Sequence, residues 1–447
     1  MTEKKMILGL ALTSGYGNLS GAWRAPHVDP SNYAKVEANI RYAQAAERGG
    51  FAFLFTPDFP AVRGDVELSG IQNIMDPLME LAAISQATTH IGFVATGSTT
   101  FQEPFNTARQ FKVLDVMSHG RAGWNAVTTS DQLVSANYGR AVAGRDERYQ
   151  RAHESIQIVE ALWGSWERDA WVKDQSAGRF LDGSKLQPIN LQGQYVASRG
   201  PLAIPPSEQG QPVIFTSGGP SPHLLELAGR YASGFIAEVW SIEEARAQRQ
   251  LVRNAAKQAG RNPDDIKYFA GLMTTVAPTV REGLDRRIAV SGDVIEARLP
   301  HLESLLGVHI DPNRYDEPLT TEQLAAAQAS PMDPRSEIVL RVAREGWSPR
   351  DVFAHGVIDY HPVTVGPAEV HADHMQAWLE ADAVDGFWVS PDIYEDGVDA
   401  FVNEVVPELR RRGIFPEEYV GATLRENLGV PDQYGADSRL KSAADTE

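Results

Sequence analysis

A chain of 447 residues with a 43% apolar fraction can bury a large core and is excluded from the disordered class. Its formal net charge of −18 argues against nucleic acid or an anionic membrane as partner, since both attract a basic surface. The absence of cysteine excludes disulfides, thiol nucleophiles and thiolate metal sites.

The first apolar run, Met6–Leu12, reads as a buried strand. It is too short for a signal-peptide core or a membrane span, so a cytoplasmic protein is expected. Tyr33, Val36, Ile40 and Ala43 recur at helical spacing and predict a helix to Arg48, ended by Gly49-Gly50. Phe51–Phe55 predicts the next strand, Met75–Ala87 a helix, Ile91–Ala95 a strand, Pro104–Met117 a helix and Arg121–Trp124 a short strand. Further on, Pro212–Thr216, Gly234–Ala237, Ile266–Met273 and Gly386–Ser390 read as strands. Leu224–Tyr231, Glu243–Ala259, Ala368–Ala381 and Gly397–Arg412 read as helices.

Strands alternating with helices imply parallel pairing through right-handed crossovers. An open doubly wound sheet and a closed barrel both satisfy that rule. No G-x-G-x-x-G follows the first strand, and eight units favour the α/β class with a parallel (β/α)8 barrel of the TIM type. The stretches 126–211 and 275–365 are too long for plain connections. They read as insertions in a single barrel domain spanning 1–435, with a polar tail over 436–447.

Active sites of such barrels lie at the C-terminal ends of the strands. Those ends carry Thr56-Pro57-Asp58, Thr96–Thr100, Asn125 with Thr128 and Thr129, Ser217–Ser221, and Ser390-Pro391-Asp392. The lining is hydroxyl-rich and mostly uncharged, which suits hydrogen bonding to a large heteroaromatic ring. The small turn Ser217-Gly218-Gly219-Pro220-Ser221 runs into a helix. Free N–H groups at such a junction bind phosphate, although a plain Gly-rich turn has the same composition. Read blandly, Asp58 caps a turn and Tyr149 lies on a charged helical surface. Asn125 at a buried strand end needs partners for its amide. His371 and His374 share a helix face without matched ligands, so no metal site is expected. His355 and His361 flank Val357–Ile358 as core histidines, with His361 also a candidate acid of the substrate pocket.

Several ordered segments resemble one group of proteins. They are Gly21-Ala22-Trp23-Arg24, Phe55-Thr56-Pro57-Asp58, Leu114–Arg121, Gly123–Thr129, Arg199-Gly200-Pro201-Leu202 through Gln209-Gly210, Val405–Leu409, and Thr423–Gly429. Together they resemble the nitrilotriacetate, dibenzothiophene sulfone and pristinamycin monooxygenase group of the bacterial luciferase-like flavin monooxygenases, over nearly the whole chain. The resemblance implies a (β/α)8 barrel that uses reduced FMN and O2 to insert one oxygen into a small organic substrate. It also implies a separate NAD(P)H-dependent flavin reductase as partner. A homo-oligomer, dimer or tetramer, is expected. The group's flavin contacts carry over to Asp58, Thr96, Asn125, Tyr149 and Ser221, with Ser217 and Gly218 beside the phosphate. Where relatives place a histidine four residues before the tyrosine, this chain has Arg145, whose fork suits phosphate. The alternative for Arg145 is a surface pair with Asp146 or Glu147. Asn125 and His361 are the candidate catalytic residues. Two other functions stay open on the sequence: a deazaflavin-dependent hydride-transfer enzyme on the same barrel, and a flavin-binding relative without turnover.

Overall fold

In the computed structural model, residues 4–12, 15–62, 64, 66–69, 75–333 and 335–436 are described. Eight parallel strands close into a barrel: β1 (Ile7–Ala11), β2 (Phe53–Thr56), β3 (Gly92–Ser98), β4 (Ala122–Val127), β5 (Val213–Gly218), β6 (Gly234–Ala237), β7 (Lys267–Val276) and β8 (Gly386–Pro391). Each pairs with the next, and β8 returns to β1 with Ile7 opposite Gly386. All eight lie where the apolar runs predict them.

The strands read as continuous apolar runs because both of their faces are buried. Side chains alternate across the sheet. Phe53, Phe55, Val94, Val213, Phe215, Ile236, Phe269 and Trp388 point inward and form one cluster. Leu8, Leu10, Leu54, Phe93, Trp124, Ile214, Phe235, Tyr268 and Phe387 point outward into the layer under the helices. Phe53 meets the edge of Phe269 at 5.1 Å and tilts against Phe215 at 5.3 Å, so aromatic rings fill the middle of the barrel.

The helix expected from Tyr33 begins instead at Val36, after a 3₁₀ turn Pro30–Ala34 that Asp29 caps. The helix expected over 397–412 is interrupted by a π-turn, Phe401–Val405. Pro407 supplies no N–H, and the Val406 N–H reaches back to the Phe401 carbonyl.

The segment 126–211 holds a short helix Gln132–Asn137 and a 19-residue helix Arg145–Trp163 that packs beside Pro104–Met117. A small antiparallel hairpin, Leu191–Gln192 with Ala197–Ser198, follows. The segment 275–365 builds a helical lobe on Val280–Leu306, Ser336–Arg344 and Pro349–Ala354, with its own core around Leu299, Leu302, Val339 and Phe353. It ends in a strand, Val363–Gly366, that pairs with the upper end of β7.

The N-terminal end of the barrel is closed by the helix Leu424–Leu428. Leu424, Leu428 and Val430 join the interior cluster. Arg425 is buried beside them and donates to the carbonyls of Gln211 (3.0 Å), Pro212 (3.2 Å) and Pro431 (2.9 Å). Nearby Asp115 accepts from Gln209 Nε2 at 2.6 Å and Ser207 Oγ at 2.5 Å. With that end sealed, the C-terminal mouth is where a ligand can enter. Residues 437–447 of the tail lie outside the described residues. Among the described residues no helix is long and apolar enough to cross a membrane. Leu424→Ala should cost about 2–5 kcal/mol, because a fully buried side chain would leave a cavity between β3 and β4. Urea unfolding checks this, and a loss below the range would mean the plug carries little of the core.

Candidate functional site

Thr96 and Asn125 are register partners at inward positions of β3 and β4. Asn125 Nδ2 donates to Thr96 Oγ1 at 3.0 Å, and both side chains are buried. The other end of the amide, Asn125 Oδ1, has no partner. A buried carbonyl oxygen is rarely left unanswered, so this one is set to accept from a ligand N–H. Asp58 stands two residues past the end of β2, half-buried. Burial, and secondarily the charge of Asp76, push its carboxyl up to about 6, against a backbone hydrogen bond at Phe59. Tyr138 is close enough for Asp58 to help raise its hydroxyl, after burial, and its ring stacks on Phe101 at 4.4 Å.

Beyond Asn125, the end of β4 runs into a cleft of about 580 Å³. Its far wall is the turn Ser217–Ser221, where Gly218 takes a φ of 130° that L side chains avoid. Ser221 caps the helix Pro222–Tyr231, accepting from the Leu224 N–H at 3.3 Å. The near wall is the start of the helix Arg145–Trp163. Arg145 and Tyr149, one turn apart, both line the cleft. Arg145 is exposed. Asp146, a neighbour it could have paired with, sits 2.9 Å from His223 Nε2 instead, and the Tyr149 ring lies 5.0 Å from that of His223.

Arg148 also lines this cleft, and sequence reasoning passed over it. Its Nη1 donates to the Ala143 carbonyl, while its buried Nε has no partner. The signal was available: residues 145, 148 and 149 follow i, i+3, i+4 spacing and share one helix face.

His361 reaches the mouth from the opposite side. Its ring occupies space that Gly271 of β7 leaves free; a Cβ there would sit 2.5 Å from the imidazole. It meets Trp388 of β8 edge-on at 4.8 Å. Burial pushes its pKa down to about 3, so at neutral pH it is an uncharged hydrogen-bonding group. Both its nitrogens, and Trp388 Nε1, lack partners. The structure therefore groups Thr96 with Asn125, and Arg145 and Tyr149 with Ser217, Gly218 and Ser221. Asp58 stands at the end of β2, and His361 stands across the ring from the Thr96–Asn125 pair. His371 is held by the Thr364 hydroxyl at 2.6 Å and the Gly366 carbonyl at 3.0 Å, and His374 stacks on Trp378, so both serve the core. Among the described residues no cluster of three potential metal ligands occurs.

Comparison with known proteins shows the family and the fold. The family model for luciferase-like monooxygenases matches residues 20–385. The chain is 35% identical over 439 residues to the N-acetyl-S-(2-succino)cysteine monooxygenase of Bacillus subtilis, covering 96% of this chain and 98% of the relative. It is 34% identical to nitrilotriacetate monooxygenase component A of Aminobacter aminovorans, over 96% and 97% of the two chains. The solved structure of the EDTA monooxygenase from Chelativorans sp. BNC1 superposes with a TM-score of 0.81 at 30% identity, covering 96% of this chain and 99% of that one.

The raised Asp58 carboxyl yields a stability prediction. Because its folded pKa lies above the unfolded value, the folded state carries a penalty that appears as pH rises through about 4 to 6 and persists above. Asp58→Asn removes the ionisation. The variant should melt higher than the parent at pH 8, and the difference should close by pH 4. Equal melting temperatures at both pH values would show that the carboxylate is well solvated.

Proposed function

The chain belongs to the luciferase-like monooxygenase family, and from that premise we propose that it is the oxygenase component of a two-component system. It takes reduced FMN from a separate NAD(P)H-dependent flavin reductase and, with O2, inserts one oxygen into a small organic substrate. The relatives described above are oxygenases by name, which favours this over hydride transfer to a deazaflavin or binding without turnover. One observation carries the cofactor assignment. A buried amide oxygen without a partner and a Gly-containing turn at a helix start lie along one arc of the mouth, β3 to β5.

Reduced FMN suits that arc at both ends. Its ring carries N–H groups for Asn125 Oδ1, with Thr96 holding the amide in place from behind. Its phosphate suits the start of the helix Pro222–Tyr231 and the turn Ser217–Ser221, where N–H groups and the helix dipole favour an anion. Arg145, Arg148 and Tyr149 supply the cations and a ring on the facing wall. Bound there, the reduced flavin supplies the two electrons that activate O2. The protein's own contribution is to bind and orient the ring and to keep water out of the mouth through Phe55, Trp388 and the lobe carrying His361. No dinucleotide fingerprint follows β1, which fits a chain that receives its flavin already reduced.

Two measurements test this. Asn125→Ala should weaken reduced FMN binding by about 1–3 kcal/mol and slow turnover, with little change in thermal stability. A variant that unfolds, or one with unchanged affinity, would remove Asn125 from the ring site. Arg145→Ala and Arg148→Ala should each lower FMN affinity, by about tenfold or more for a charge-assisted contact, with a larger loss at low salt. Riboflavin, lacking the phosphate, should bind both variants as it binds the parent. Equal losses for FMN and riboflavin would place the two arginines away from the phosphate.

A further inference from the structure

β7 and β8 stand across the barrel from β3 and β4. On that side a second set of buried polar atoms has no partner: Trp388 Nε1 and both ring nitrogens of His361. The flavin reading uses none of them. An indole N–H can only donate, and a buried one ordinarily finds an acceptor. A neutral imidazole offers one donor and one acceptor.

The surroundings explain why no neighbour answers them. The register partners of Trp388 are Gly9 on β1 and Gly271 on β7, so neither adjacent strand lays a side chain beside the indole at its own level. Its ring is flanked by Phe55 at 5.5 Å and by His361 at 4.8 Å, and His361 fills the space over Gly271. Tyr360 bonds to the Glu238 carboxylate through its hydroxyl, and its ring meets His361 edge-on at 4.5 Å, which fixes the imidazole from its other side. The result is an aromatic wall with two neutral polar points in it and a carboxylate at its margin.

We propose that Trp388 and His361 are the substrate-recognition wall of this oxygenase. It takes a neutral, largely apolar molecule bearing one hydrogen-bond-accepting oxygen, such as a sulfone, sulfoxide or ketone. The inference rests on the monooxygenase reading above. Phe55 and the indole face supply the apolar contact, and the indole N–H, aided by the imidazole, selects for the oxygen. A polycarboxylate does not fit the same wall. Neutral donors offset little of the cost of desolvating several charges, and Glu238 repels them.

The test uses the full chain with reduced FMN under anaerobic conditions. Binding of diphenyl sulfone, diphenylmethane and nitrilotriacetate is measured calorimetrically. Diphenyl sulfone should bind about threefold to tenfold tighter than diphenylmethane, which has the same two rings without the oxygen, and tighter than nitrilotriacetate. Trp388→Phe keeps the aromatic wall and removes the N–H, and it should abolish that preference. His361→Phe should reduce it. Reduced FMN affinity is titrated in each variant so that the preference is read on flavin-loaded protein. Trp388→Phe, which loses no hydrogen bond but leaves space beside Phe55 and His361, should melt somewhat lower than the parent and is read well below that temperature. The proposal is overturned if the parent shows no sulfone preference, if the preference survives both substitutions, or if nitrilotriacetate binds tightest. Should one variant fail to fold, the parent's three-ligand comparison and the other variant still decide. A parent that does not bind reduced FMN at all would overturn the oxygenase reading instead, and that titration is read separately.

Discussion

A polar atom inside a dry barrel is stable only when something answers it, and the two ends of this barrel treat that constraint in opposite ways. At the N-terminal end even full charges are satisfied. Arg425 is surrounded by carbonyls, and Asp115 accepts from a hydroxyl, an amide and a backbone N–H. At the C-terminal end the amide oxygen of Asn125, the nitrogens of His361 and the indole N–H of Trp388 are left open. The sealed end does leave the amide nitrogens of Asn427 and Gln433 without partners, but its charges are answered, whereas the open atoms of the mouth lie where a ligand enters. The middle of the barrel, filled by Phe53, Phe215 and Phe269, separates the two regimes.

The charges around the mouth follow the same division. Arg286 is locked by Asp392 and Asp396, Arg287 and Arg298 share Asp359, and Arg24 meets Asp293. These pairs pin the helix Val280–Leu306 to the end of β8, to the segment that delivers His361, and to the first loop. They are fixtures of the lobe and leave little positive charge to offer a ligand. In a protein of net charge −18, the cations at the phosphate-type cleft come from one helix start, at Arg145 and Arg148.

Much of this was legible in the sequence, and the reason is physical. Strands buried on both faces leave short unbroken apolar runs such as Phe51–Phe55, and their regular alternation with longer helical stretches separates strand from helix. Polar residues ending those runs, Asp58, Thr96 and Asn125, mark the mouth because a parallel barrel gathers all its C-terminal strand ends together. What stayed hidden depends on side-chain parity and on neighbours distant in sequence. Trp388 reads as one more apolar strand residue until Gly9, Gly271 and His361 are known to surround it. The helix Arg145–Trp163 begins with Arg145-Asp146-Glu147-Arg148, a composition that resembles a solvated surface and conceals the face turned to the cleft. The π-turn at Phe401–Val405 follows from Pro407, a residue visible in the sequence whose effect on the preceding turn depends on the surrounding helix.

The helix that seals the barrel also bears on the order in which the molecule can assemble. Leu424 and Leu428 follow β8 in the chain, yet they complete a core whose other members begin at β1. During synthesis the eight strands must emerge with their lower aromatic layer open to water, and it stays open until the sealing helix is free to dock. Nascent barrels of this kind therefore stay open at the hydrophobic end that faces away from the chemistry until the last helix of the core has been made.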